Sequence, residues 1–261
     1  MAQPSFRFDG MSVEERAGVT KAKRALTLAR EIVGDIEINA HGPGHRLPQE
    51  QDMLARYDVA RATLREALRF LELQGVIHLQ PGRGGGPIVA RPQTANFASS
   101  MALILQFMDT DLRSLLDLRE AIAPAVAERA AENATVADLA ALEDCLAQLE
   151  REVDAPEFEE TNRRFHDLLG WASGNPAFGL LVSALHLLTR SMSISLGYSA
   201  QERAAQLRCL DRVLHAVRMR DATAARGHIE RLTFGSTRYL AERSPKIVAQ
   251  KVRWENARRD A

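Results

Sequence analysis

The twelve residues Asp58-Val59-Ala60-Arg61-Ala62-Thr63-Leu64-Arg65-Glu66-Ala67-Leu68-Arg69 constrain this chain more than any other stretch. Arg61, Arg65 and Arg69 recur at steps of four, which aligns three guanidinium groups on one stripe of a helix. Leu64, Ala67, Leu68 and Leu71 fall behind them. A Gly42-Pro43-Gly44 turn and a short apolar helix come first. A short helix, a tight turn and a second helix with an Arg stripe describe a helix-turn-helix shaped for a DNA major groove. The plain alternative is an amphipathic helix whose arginines are merely solvated.

The residues that follow weigh against that alternative. Gly75 suits a left-handed helix stop. The runs 75–80 and 87–90 are β-prone and flank the turn Pro81-Gly82-Arg83-Gly84-Gly85-Gly86, which reads as a hairpin with one arginine at its tip. A hairpin directly after a helix-turn-helix is a wing. A phosphate-binding loop would need a Lys-Ser/Thr ending and a following helix, and neither is present.

Composition narrows the function classes. The 261 residues suffice for two domains, and 46% hydrophobic residues suffice for a sizeable core. The formal net charge is zero, so any attraction to nucleic acid must be local. From Arg56 to Arg91, six arginines face Asp58, Glu66 and Glu72, a local excess of three positive charges. Cys145 and Cys209 have no zinc or redox spacing and read as buried thiols. The first 25 residues lack the apolar core of a signal peptide, and no run approaches a membrane span. A cytoplasmic protein with no membrane contact is expected.

Residues 1–17 read as an arm, and 20–38 as an amphipathic helix with Ala25, Leu28, Ala29, Ile32, Val33 and Ile36 on one face. A polar linker is expected at 90–97. Beyond it the chain is helical by period, with helices expected near 98–108, 111–133, 136–153, 156–173, 175–196, 200–220 and 222–243. Thr135 and Asn175 read as N-caps, with Pro176 at the first helical position. The fold class is therefore mainly α: an N-terminal winged helix-turn-helix with a small β-hairpin wing over 18–92, an all-α helical bundle over 98–243, and a basic C-terminal tail over 244–261.

Within the bundle, polar residues fall on otherwise apolar faces. Phe158, Asn162, Phe165, His166, Leu169 and Ala172 share one face. Leu112, Leu116, Arg119, Ala123, Val126 and Ala130 share another. A third helix carries Ser183, His186, Arg190 and Ser193 as a polar stripe. A buried guanidinium is costly unless paired, so Arg119 requires either an interior acid such as Glu159 or a ligand. His166 reads either as a hydrogen-bonded core histidine or as a ligand contact, and the Ser183–Ser193 stripe as either a cavity wall or a solvated outer face. Three helices offering polar groups to one interior suggest a small-molecule cavity.

The segments Pro43-Gly44-His45-Arg46-Leu47-Pro48-Gln49-Glu50, Val59-Ala60-Arg61, Leu64-Arg65-Glu66-Ala67-Leu68, Leu71-Glu72-Leu73-Gln74-Gly75-Val76-Ile77 and Pro81-Gly82-Arg83-Gly84-Gly85 together resemble the GntR family of bacterial transcription factors. The family pattern is roughly PGxxLPSE, VSRxxVREAL, LxxxGLV and PGRG. Ala60 departs from it where a capping Ser or Thr is usual, which removes a side-chain cap. Asp58 stands at the usual turn Gly, and Gln51 and Ala62 at positions that often contact DNA. The second half is similar to the FCD ligand domain of the FadR-like branch, through Leu116-Asp117-Leu118-Arg119-Glu120, Ala127-Glu128-Arg129-Ala130-Ala131, Phe165-His166-Asp167-Leu168-Leu169 and Ser173-Gly174-Asn175-Pro176.

The resemblance implies a ligand-responsive regulator that binds an inverted-repeat, double-stranded DNA operator as a homodimer. Arg61, Thr63, Arg65 and Arg69 on the recognition helix, with Arg83 and Gly84 in the wing turn, are the expected DNA contacts. Arg119, Asn162, His166, His186 and Arg190 are the expected contacts to a small organic effector, a carboxylate or acyl compound. Many FCD domains resemble one another in a metal site of Asp-x-x-x-His plus two later histidines. In this chain those positions read Asn162, His166, Leu210 and Leu232, with His215 and His228 nearby but off register. No metal, no cofactor and no catalytic residue is expected. The rival readings are a constitutive architectural DNA binder and, more remotely, an enzyme.

Overall fold

The computed structural model describes residues 13–82, 85–191 and 198–254. It divides into two compact units, one ending at Asn96 and the other beginning at Phe97.

In the first unit, α1 (Val13–Ile38) buries Ala25, Leu28, Ala29 and Ile32 along one face. The helix takes in residues 13–17, which the sequence reading placed in an arm. Against α1 pack α2 (Glu50–Tyr57) and α3 (Arg61–Leu73), whose Met53, Leu64, Ala67, Leu68 and Leu71 complete the core with Ile77 and Val89. Asp58 ends α2 in the left-handed region, at φ 47° and ψ 54°, a conformation that Asp tolerates better than most residues. Ala60 enters α3 extended, with no side-chain cap, as its missing hydroxyl dictates. Gly75 closes α3 at φ +73°, with the Val76 N–H donating to Leu71 O at 2.9 Å. The positive φ favours glycine, and a Cβ here would sit 2.6 Å from Asn96 Oδ1, so that side chain would have to move.

The wing is β1 (Ile77–Gln80) paired antiparallel with β2 (Gly86–Val89), Ile77 opposite Val89 and Gln80 opposite Gly86. Residues 44–47 line the other edge of β2: Leu47 N–H donates to Pro87 O and Val89 N–H to His45 O, both at 2.9 Å.

α4 (Thr94–Phe107) begins within the last residues of the first unit, and the described part of the second unit is otherwise built of α5 (Leu112–Asn133), α6 (Val136–Arg151), α7 (Phe158–Ala172), α8 (Pro176–Ser191), α9 (Ala200–Arg218), α10 (Ala222–Arg243) and α11 (Pro245–Val248). Because α4 begins at Thr94, the expected linker shrinks to 90–93. Thr135 and Ser199 start α6 and α9 with capping boxes closed by Asp138 and Glu202. Asn175 Oδ1 accepts from Ala177 N–H at 3.0 Å, and Pro176 opens α8. Phe158, Phe165 and Leu169 of α7 are buried with Val126 and Ala130 of α5, Leu142 and Leu149 of α6, and Leu210 and Val217 of α9.

The basic tail expected over 244–261 is corrected over 244–254, and its remainder lies outside the described residues. After α11 the chain straps back over the start of the bundle. Val252 N–H donates to Thr110 O, and Leu112 N–H to Gln250 O, both at 2.9 Å. Lys251 Nζ lies 2.9 Å from Asp109 Oδ2, and Trp254 Nε1 donates to Ser99 Oγ. Val248 and Val252 are buried against Leu112, Leu115 and Leu116.

Candidate DNA-reading face and effector cavity

The face that α3 presents is set by its helical period. Arg61, Arg65 and Arg69 are all exposed on the side away from Leu64, Leu68 and Leu71. Thr63 corrects the expectation. It is only 7% exposed and so is not presented on the outer face. Two residues on from Arg61 is about 200° around the helix, which turns Thr63 away from the arginine stripe. Arg83 and Gly84 lie outside the described residues. The sequence reading missed Glu50, in the first turn of α2. Its Oε1 lies 3.2 Å from Arg61 Nε and 3.4 Å from Arg65 Nε. Beside it, Gln49 Nε2 donates to Gly85 O at 2.8 Å and ties the start of α2 to the wing.

In the second unit a cavity opens between α5, α7, α8 and α10, with Tyr198 and Gln206 closing one side. Measured as the space open to the centre of a water molecule it is about 70 Å³. A water needs about 10–15 Å³ on that measure, so the cavity suits a few waters or a compact organic molecule. Arg119 lines it together with Asn162, His166 and His186, so the structure brings four of the five expected effector residues to one place.

Their hydrogen bonding is incomplete. Arg119 Nη2 has a long contact of 3.5 Å to Thr237 Oγ1, while Arg119 Nε is sealed from water without a hydrogen-bond partner. Glu159 lines the same cavity but forms no ion pair with Arg119 within 4.0 Å. Asn162 Oδ1 is likewise buried and unpartnered. Burial lowers the Arg119 pKa. Burial above all, then the neighbouring His186 and Arg119, pushes the His166 pKa down to about 3, so its imidazole is neutral at physiological pH. The two histidine rings are 5.9 Å apart between centroids. His186 is itself buried, and its Nδ1 lies 2.7 Å from Asp167 Oδ1, which orients the ring. Arg190 departs from expectation. It is exposed and lies 3.3 Å from Glu160 Oε1, because its long side chain carries the charge out to the surface. Ser193 lies outside the described residues.

Two family models match the chain. Residues 24–85 match the bacterial regulatory proteins of the gntR family, and residues 114–233 match the FCD domain. The chain belongs to the GntR family. This GntR regulator is 28% identical over 235 residues to the galactonate operon transcriptional repressor of Escherichia coli K12, covering 83% of this chain and 95% of that protein. It is 30% identical over 160 residues to the Uxu operon transcriptional regulator of the same organism, covering 60% of this chain and 61% of that one. A Streptococcus agalactiae GntR structure superposes with a TM-score of 0.62 at 22% identity, covering 82% of this chain and 99% of its own, which supports the fold. These relatives are transcription regulators, and this GntR chain is a regulator, not an enzyme. No described helix is long and apolar enough to cross a membrane.

The metal site common among FCD domains does not fit the donors of this GntR chain. Leu210 is fully buried in the hydrocarbon core and Leu232 forms cavity wall, so neither supplies a ligand. Asn162 offers a neutral amide where the pattern has Asp. His215 is exposed beside Arg218, and the His228 ring lies 2.8 Å from Arg231 Nη2, away from the cavity lining. The cavity that His166 lines also holds the Arg119 guanidinium, whose charge repels a divalent cation.

Proposed function

We propose that this GntR-family protein is an effector-responsive regulator that binds an inverted-repeat operator as a homodimer. α3 enters the major groove, and Arg61, Arg65 and Arg69 meet bases and phosphates. A small organic anion occupies the α5–α7–α8–α10 cavity. The protein acts in the cytoplasm, where the DNA is. The observation that carries the effector reading is that Arg119 and Asn162 line one cavity while Arg119 Nε and Asn162 Oδ1 are buried without a hydrogen-bond partner. A buried donor and a buried acceptor left open both cost free energy. A carboxylate that also bears a hydroxyl satisfies the two together: the anion on Arg119, the hydroxyl proton on Asn162. That chemistry favours hydroxy acids over acyl chains.

Support for the dimer comes from α4, which carries no charged residue and leaves Ile104 and Phe107 exposed at 60% and 82%. Uncharged exposed apolar surface of this kind suits a subunit contact.

One relative is named for repression of a galactonate operon, so galactonate heads the panel to be tested. Calorimetric titration with galactonate and other small hydroxycarboxylates should give one site per chain. Arg119→Met should weaken binding at least about tenfold, in line with about 1.5–3 kcal/mol for a charge-assisted hydrogen bond. Equal affinity in the two proteins would place the ligand elsewhere.

A further inference from the structure

We propose that Glu50 is a specificity-determining positioning residue, which holds Arg61 and Arg65 in a base-reading posture and discourages them from gripping phosphates. This role rests on the reading of α3 as the DNA-reading helix. Glu50 stands one helix away from the arginines, in the first turn of α2, where the helix dipole favours an acid. Its Oε1 is sealed from water and has no hydrogen bond of good geometry. What faces it is the Nε of Arg61 at 3.2 Å and of Arg65 at 3.4 Å. One carboxylate oxygen thus serves two guanidinium groups and takes the same atom from each. In both pairs the guanidinium nitrogen that meets the carboxylate is Nε, and the two arginine side chains are 60% and 59% exposed.

Two consequences follow from this geometry. First, an exposed arginine loses several rotors when it binds, and a side chain already tethered at Nε loses fewer. The paired Nη fork is the part that addresses guanine O6 and N7. Second, a carboxylate fixed beside both arginines offsets half their charge and repels phosphate oxygens. Phosphate contact carries no sequence information and dominates binding to unrelated DNA. Glu50 therefore lowers affinity for any duplex but costs the correct one less, which widens the ratio between them.

The test uses the full chain, a duplex that the wild type enriches from a random pool, and a shuffled duplex of the same composition. Glu50→Gln keeps size and shape and removes the charge. It should bind the shuffled duplex several-fold tighter and lower the selected-to-shuffled ratio by about tenfold. Its salt dependence on the shuffled duplex should steepen by about one unit of slope, as for one further phosphate contact. In an Arg61→Ala, Arg65→Ala background the same substitution should leave the ratio unmoved. A Glu50→Gln protein with wild-type ratio and slope, or an equal effect in both backgrounds, overturns the role of Glu50 alone. A wild type that enriches no duplex overturns the DNA-reading assignment of α3, and this role with it.

Discussion

Arg65 and His166 show how one side chain's setting fixes a measurable outcome. Arg65 is exposed on the stripe of α3. Arg65→Ala should leave the fold intact and cost about 1–3 kcal/mol of operator binding if it reads a base. A filter or fluorescence titration checks this, and unchanged affinity removes Arg65 from the contact face. His166 has its pKa lowered from 6.5 to about 3. Between those values the unfolded chain takes up a proton that the folded chain refuses, so stability rises with pH through that window and falls on acidification. The slope is at most about 1.4 kcal/mol per pH unit. Melting curves from pH 7 down to pH 4.5 should show this fall, and His166→Asn should flatten it. With leucines at two ligand positions, elemental analysis should find well under one divalent metal per chain. A stoichiometric metal lost in His166→Ala would contradict this. At this scale the sequence was partly legible. Arg119, Asn162 and His166 stand out as polar residues on apolar helical faces, and the structure puts all three on the cavity. Thr63 and Arg190 misled for physical reasons. The first is turned inward by the helical angle, and the second has a side chain long enough to leave the face its Cα occupies. Glu50 was hidden because its partners lie on another helix.

Helix limits were readable because capping is local. Thr135, Asn175 and Pro176 announce their helices within three residues of themselves, and the structure gives each the expected hydrogen bond or position. Gly75 likewise ends α3 where a positive φ is needed. The strap over 249–254 was not readable. α11 is a single turn, too short for a hydrophobic period. The strap's partners at 109–112 lie about 140 residues earlier, and such pairing leaves no local sequence signal. The strap makes a prediction of its own. Val252 is 2% exposed, so Val252→Ala should cost about 1–3 kcal/mol in denaturant unfolding of the second unit. A free tail would show no loss.

The whole molecule is a GntR-family regulator, with the match to the gntR family in its first unit and to the FCD domain in its second. Inverted-repeat binding requires a two-fold dimer, with half-sites about one helical turn apart. Light scattering should give twice the chain mass, and footprinting should protect two half-sites. A monomer bound to a single half-site would contradict the dimer. Regulation requires that an effector bind the operator-competent and operator-incompetent arrangements with different free energies, typically 1–3 kcal/mol apart. The coupling is reciprocal, so DNA must alter effector affinity by the same factor. The most direct test is therefore operator affinity with and without a bound hydroxycarboxylate, measured in the wild type and in Arg119→Met. The effector should shift wild-type affinity by about 5–150-fold. In Arg119→Met the shift should vanish while ligand-free operator affinity stays at the wild-type value. An Arg119→Met protein that responds fully to the same compound would make Arg119 a structural residue and contradict the account.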